Sequence, residues 1–275
     1  MENIFFQQMM VNFYFELTKI LLPEDAVNFT RPSPEVLSLG QEKAIPLINI
    51  CPPRVKTTDF FHVLHQVSGI LQKNHPDMET ELAQIQAALP VKPSEQELFV
   101  VQAFIPGTNL LTSLKLNLPP DTFGLLLNHT VKLFMRQYAK EAISLCNIEQ
   151  WLKGYCPVCG SRPNFAMLEK ENGKRYLFCG LCEVKWRFQR LGCPYCLNNE
   201  SQFFTVEGMD KYRVYFCEEC HGYIKTLDEK KAGEERIDLF WEDINTVHLD
   251  LLAINEGYFN KQVNQSTATL TESEN

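Results

Sequence analysis

The chain is predicted to fold as an α+β protein, and three features of its 275 residues lead there. Apolar residues recur at three- and four-residue spacing through most of the first 150 positions, the pattern of amphipathic helices. Eight of the ten cysteines then fall between Tyr155 and Lys225 as four C-x-x-C pairs, interleaved with short aromatic and β-branched runs that suit strands. A last helical stripe follows at Phe240, Ile244, Val247, Leu251 and Ile254, with Gly257 placed to end it. The expected division is a helical domain over residues 1–151, a tandem tetracysteine metal-ribbon domain over 152–227, a C-terminal helix over 236–257 packing back, and a disordered polar tail over 260–275.

Within the helical half, Ile4, Phe5, Met9 and Phe13 begin a rough repeat that must stop before Pro23, and its aromatic stripe reads as core. Prolines at 23, 32, 34, 46, 52 and 53 exclude long helices from residues 23–56 unless a proline occupies a first turn, as Pro34 can. Ile45 to Ile50 is expected to be extended. Thr58-Asp59 is placed to cap a helix bearing Phe60, Phe61, Leu64, Val67 and Leu71, a second runs from Pro76 to Leu89, and Ser94-Glu-Gln-Glu97 reads as the capping box of a third. The longest stripe, Phe123, Leu127, Val131, Phe134, Tyr138, Ala142, Leu145 and Ile148, predicts a helix from Pro120 to about Trp151. His62 and His65 share a face of their helix but have no acidic or cysteine ligand nearby, so they read as solvated or packed. Cys51 and Cys146 read as small apolar packing residues.

The pairs are Cys156/Cys159, Cys179/Cys182, Cys193/Cys196 and Cys217/Cys220, with spacers of 19 and 20 residues inside two successive units, 155–190 and 191–227. Two thiolates three residues apart on a tight turn can bind one ion, and two such turns complete a tetrahedral sulfur shell. Gly160 and Gly222 are expected to take positive φ where each knuckle reverses, and Pro157 and Pro194 to pre-set φ inside theirs. Arg175–Phe178 and Tyr212–Phe216 suit hairpin strands, with turns at Glu171-Asn-Gly173 and Glu207-Gly-Met-Asp210. Each unit thus looks like a rubredoxin or zinc-ribbon module. The metal ligands expected are Cys156, Cys159, Cys179 and Cys182 for one ion and Cys193, Cys196, Cys217 and Cys220 for a second, iron or zinc. Only ten residues separate Cys182 from Cys193, too few for a ribbon hairpin, which favours this sequential pairing over a crossed one. Structural disulfides and a redox C-x-x-C are the competing readings; the first needs an oxidising compartment, and the second a βαβ setting that four duplicated pairs do not fit.

Composition narrows the function. The net charge of −8 is uneven: residues 151–231 carry 13 basic and 10 acidic side chains, too small an excess for a nucleic-acid footprint. Glu2 stands where a signal peptide would be basic, Glu16 and Lys19 interrupt the first apolar run, and no stretch approaches the ~18 apolar residues of a membrane span, so a cytoplasmic location is expected. The chain has no G-x-S-x-G, P-loop, G-x-G-x-x-G or H-E-x-x-H, and closed sulfur shells leave no open position for substrate, so no catalytic residue is expected.

The runs Tyr155-Cys-Pro-Val-Cys-Gly-Ser161, Tyr176-Leu-Phe-Cys-Gly-Leu-Cys-Glu183 with Trp186, Cys193-Pro-Tyr-Cys196, and Cys217-Glu-Glu-Cys220 with Tyr223-Ile-Lys225 resemble the FdhE family of formate dehydrogenase accessory proteins. The similarity extends to Asp243, Asp250 and Glu256-Gly-Tyr258 and so covers about residues 150–260. It implies a non-catalytic maturation factor that binds the catalytic subunit of formate dehydrogenase, with metal of the rubredoxin type. A rubredoxin-like electron carrier and a zinc-ribbon nucleic-acid adaptor are the alternatives. Arg162, Trp186, Arg187 and Tyr195 are expected to be exposed around the knuckles and to anchor the partner, Trp186 being equally readable as local packing. Loss of one metal is expected to unfold its own unit and leave the helical half intact.

Overall fold

The computed structural model describes residues 2–233 and 236–261. The expected tail from 262 onward, residues Glu234 and Glu235, and the side chains of Ile4 and Phe5 lie outside the described part.

The first half is helical, as its periodicity requires. Helix α1 (Glu2–Thr18) is followed by β1 (Val27–Asn28), α2 (Pro34–Glu42), α3 (Leu47–Ile50), β2 (Arg54–Val55), α4 (Thr57–Asn74), α5 (Glu79–Ala88), α6 (Pro93–Ala103), α7 (Leu110–Ser113) and α8 (Pro120–Ala142). Helices α4 and α8 form its centre, where Phe60 stacks on Phe134 at 5.6 Å with Phe104 edge-on to both. Aromatic pairs of this kind add about 0.5–1.5 kcal/mol beyond their area burial.

Four local expectations are corrected. Residues Leu47–Ile50 are helical, because the free N–H groups of Leu47 and Ile48 donate to the carbonyls of Pro157 and Val158 at 2.9 and 2.8 Å. Lys56 and Lys92 occupy the N-cap positions of α4 and α6, so Thr58-Asp59 and the Ser94 capping box lie inside the first turns without capping. Pro93 at the first helical position of α6 sets that register, since its fixed φ suits a helix start. Helix α8 ends at Ala142 rather than near Trp151, passing through a 3₁₀ turn (Ile143–Leu145) to Cys146, which is extended. That early end lets the Ile148 carbonyl accept from Arg187 N at 3.1 Å and cap a sheet edge.

His129 of α8 is buried against the rings of Phe13 and Tyr14, at 5.1 and 5.6 Å, and its Nδ1 has no hydrogen-bond partner among the described residues. Burial, helped by the Lys132 and His75 charges, pushes its pKa down to about 4. The unfolded chain then binds a proton that the folded chain refuses, so stability present above pH 6.5 is lost as pH falls toward 4. The loss reaches about 3 kcal/mol. Thermal melts from pH 7 to 4.5 are expected to fall more steeply for the wild type than for His129→Phe; parallel curves would contradict this.

The second half forms one sheet. Strands β3 (Phe165–Leu168), β4 (Arg175–Phe178), β5 (Lys185–Phe188), β6 (Gln202–Phe204), β7 (Tyr212–Phe216) and β8 (Tyr223–Asp228) lie in the order β5-β4-β3-β8-β7-β6. Each unit contributes an antiparallel three-stranded ribbon, and the two join through parallel β3 and β8, with Phe165 opposite Lys225. The second ribbon therefore repeats the first by a step along the sheet. Alternation gives the sheet two apolar faces. Ala166, Leu177, Trp186 and Ile224 share a core with the N-terminal helices, whereas Phe165, Met167, Phe178, Val214 and Leu227 share one with the C-terminal helices.

After α9 (Glu229–Ala232), the predicted last helix is split into α10 (Leu239–Asn245) and α11 (Val247–Asn255). Thr246 makes the break: its hydroxyl donates to the Glu242 and Asp243 carbonyls at 2.7 and 3.2 Å, which competes with the helix ladder. Leu249 and Ala253 are consequently the buried positions of α11, and Leu251 and Ile254, expected in the stripe, are exposed. Both helices pack on the sheet and reach α1. They are held by Lys225, which is 1% exposed and pairs with Asp243 at 2.9 Å and Asp250 at 2.6 Å, while Tyr223 donates to Asp250 at 2.8 Å. Residues of the resemblance that are remote in sequence thus meet in one buried charge cluster.

Candidate metal centres

All four C-x-x-C pairs fold into the same turn. In each, the first cysteine's carbonyl accepts from the N–H four residues on (Gly160, Glu183, Leu197, His221), at 2.8–3.0 Å. Its own N–H donates to the carbonyl five residues on (Ser161, Val184, Asn198, Gly222), again at 2.8–3.0 Å. The fourth position after the cysteine has positive φ in every knuckle: 77° at Gly160, 61° at Glu183, 65° at Leu197 and 53° at His221. Gly160 does what was expected of it; Gly222 does not, since His221 takes the left-handed turn. A side chain on Gly222 would instead meet the Tyr195 ring at 2.6 Å and Cys220 Sγ at 3.2 Å. Three non-glycine residues held left-handed cost roughly 1 kcal/mol or more each, which the surrounding turns must offset.

These turns bring the sulfurs together in two sequential quartets, Cys156, Cys159, Cys179, Cys182 and Cys193, Cys196, Cys217, Cys220, each with its sulfurs within 4.8 Å of one another. The crossed pairing is absent. Sulfur separations of 3.4 Å (Cys156–Cys182 and Cys159–Cys179) and 3.6 Å (Cys193–Cys220 and Cys196–Cys217) exclude disulfides. They approach the edge of about 3.8 Å expected of a sulfur tetrahedron with metal–sulfur bonds of about 2.3 Å. The donor set therefore fits a tetrathiolate ion. Burial pushes the thiols of Cys156 and Cys182 up; it would do the same to Cys159, but hydrogen bonds from the other three thiols and Ser161 hold Cys159 well below its usual value. Four crowded thiols favour one thiolate at a time, and a cation is what allows all four to lose their protons.

The two quartets differ in surroundings. All four cysteines of the first are buried, beneath α3 and beside Tyr138 and the Glu183–Arg136 ion pair of 2.9 Å. In the second, Cys196 is exposed and Cys220 half-buried, and the chain after α11 returns over the last knuckle, with Phe259 N donating to the His221 carbonyl at 2.7 Å. A chelator such as EDTA is expected to strip the second site first, one equivalent well ahead of the other. Release of both at one rate would contradict the asymmetry.

Trp186 and Tyr195 are not surface anchors. Trp186 is fully buried, donating from Nε1 to the Lys153 carbonyl at 2.8 Å, and the buried Tyr195 hydroxyl donates to the carbonyls of Pro163 and Tyr223 at 3.1 and 3.0 Å. Arg162 is half-buried and bridges the Gly154 and Pro194 carbonyls at 3.4 Å, leaving Arg187, also half-buried, as the remaining one of the four. His62 and His65 are exposed, and among the described residues neither joins a metal-capable group; nor do Cys51 and Cys146. Among the described residues no helix is long and apolar enough to cross a membrane.

A helical half followed by two edge-joined ribbons, each closing on four cysteines, defines a tandem zinc-ribbon-type protein with two candidate tetrathiolate centres. Within that class, residues 155–190 match the family model "FdhE, central domain", a span that coincides with the first ribbon unit. Relatives named FdhE homologs are 37% identical over 122 residues in Aquifex aeolicus and 34% over 108 in Stutzerimonas stutzeri; the Escherichia coli protein FdhE is 31% identical over 114. These matches cover 42, 38 and 40% of this chain and 42, 35 and 36% of the relatives, so they span about two fifths of the curated relatives' length. The crystal structure of the FdhE protein from Pseudomonas aeruginosa aligns over 88% of this chain and 82% of that one, with TM-score 0.55 and 19% identity, a likeness of fold. The family model and the curated relatives thus show similarity to FdhE proteins over the cysteine-bearing part of the chain, and the solved structure shows a likeness of fold over most of it.

Proposed function

We propose that the protein is a non-catalytic maturation factor that binds the catalytic subunit of a molybdenum- or tungsten-dependent formate dehydrogenase in the cytoplasm before that enzyme is complete. The observation that carries this reading is the pair of closed cysteine quartets, the first of them inside the segment, residues 155–190, that matches the FdhE central domain. Ligation of an iron or zinc ion by each quartet rigidifies the ribbons and offers no open coordination position, so activity is exercised through binding. Exposed apolar side chains on the second unit, Leu191, Leu197 and Phe203, together with Phe259 beside its last knuckle, suit a protein-binding surface. The test is deletion of the gene followed by formate dehydrogenase assay, with rescue by the wild type, by Cys159→Ser and by Leu197→Glu/Phe203→Glu. Loss of activity restored by the wild type alone is expected. Normal activity without the protein, or full rescue by variants that bind no metal, would overturn the proposal.

One observation favours a second reading, electron transfer through iron. The exposed Cys196 brings the second centre to the surface, where a redox partner can approach it. Stoichiometric zinc in colourless protein after anaerobic native purification would remove it.

A further inference from the structure

Arg175 opens β4 of the first ribbon and is 1% exposed. Its Nη1 donates to the Gly192 carbonyl at 2.9 Å, but Nε and Nη2 have no hydrogen-bond partner among the described residues. The guanidinium lies over the rings of Tyr215 and Phe188, at 5.2 and 5.9 Å. Arg213 holds the same place in the second unit, four residues before the closing C-x-x-C pair, and there Asp228 pairs with it at 2.6 Å. No carboxylate plays that part for Arg175 among the described ion pairs. A buried guanidinium without counter-charge costs several kcal/mol. Burial pushes its pKa down only to about 10, so it keeps its charge at neutral pH.

A bound anion cannot supply the missing charge. The cavity beside Arg175 holds about 10 Å³, the lower limit for one water. Cys193 and Cys217 line that same cavity, and Gly192 directly precedes Cys193. Four thiolates leave two negative charges around a divalent ion and one around a trivalent ion.

We infer that Arg175, carried by the first ribbon, is the counter-charge of the second ribbon's tetrathiolate centre, acting as a positioning residue that sets that site's affinity and oxidation-state preference. The inference rests on metal ligation by the second quartet. A positive charge favours the more negative, reduced centre, so its removal weakens divalent binding and lowers the potential of bound iron.

The test compares the full chain with Arg175→Met, Arg175→Lys and Arg213→Met. Zinc affinity is measured by chelator competition, and the midpoint potential on iron-reconstituted protein. Arg175→Met is expected to weaken the second site at least tenfold and shift its potential negative, with the first site's metal retained as the internal check on folding. Arg175→Lys stays within about threefold of the wild type, as does Arg213→Met. If Arg175→Met does not fold, Arg175→Lys carries the test, and a tenfold loss there overturns the inference. Unchanged zinc affinity in Arg175→Met overturns it too, as does equal loss in both variants with no change in potential, which assigns Arg175 to packing. A wild type that binds no metal at the second quartet removes the metal reading itself.

Discussion

Cys159→Ser is expected to lose one metal equivalent and more than about 4 kcal/mol of stability, and to loosen the helical half as well as its own ribbon. A bound ion would close the ribbon, and the first quartet lies in the same apolar core as Phe60, Phe134 and Tyr138. Two backbone bonds tie α3 directly to its first knuckle, and the ion pair of Glu183 with Arg136 ties its second knuckle to α8. The sequence suggested damage confined to one unit, but this shared core carries it outward. Cys196→Ser, at the exposed second quartet, is expected to cost less and to leave α3 and α8 undisturbed. Amide hydrogen exchange of α3 and α8 in the two variants reads the difference; full protection of both helices in Cys159→Ser would contradict it.

Lys225→Met is expected to cost about 3–5 kcal/mol, the loss typical when one partner is removed from a buried charge cluster. It leaves Asp243 and Asp250 facing each other across the gap between β8 and the C-terminal helices. Burial already raises Asp250, against the pull of Lys225. Without Lys225 it rises further, so the penalty is absent below the unfolded carboxylate pKa and grows as pH climbs through the folded value. The deficit of Lys225→Met against the wild type should therefore shrink toward acid pH. Urea melts at pH 4.5 and 7.5 check this, and an equal deficit at both would contradict the electrostatic account.

What could be read from sequence follows the range of the interactions. The quartets were legible because a tetrathiolate ion fixes both residue type and spacing, and Arg175–Phe178 and Tyr212–Phe216 because β-branched and aromatic residues mark a strand locally. The joining of β3 to β8 left no such mark: parallel pairing between residues about 60 positions apart is decided by packing on both faces. The same holds for α3, whose short helix depends on knuckle carbonyls more than a hundred residues away. Gly222 reads locally as a turn glycine, whereas its real constraint, crowding by Tyr195, exists only once the second ribbon has folded. Arg175 gave no signal at all. In sequence it matches Arg213, and only the absence of a counterpart to Asp228 distinguishes them.

The central claim is that two sequential quartets each hold one ion through four thiolates. X-ray absorption on protein purified anaerobically from its native background, with metal quantification on the same sample, tests it most directly. The account predicts two metal equivalents per chain and sulfur as the sole first neighbour, four per ion at about 2.3 Å. Nitrogen or oxygen ligands in the shell, a single equivalent, or disulfides among the eight cysteines would contradict it.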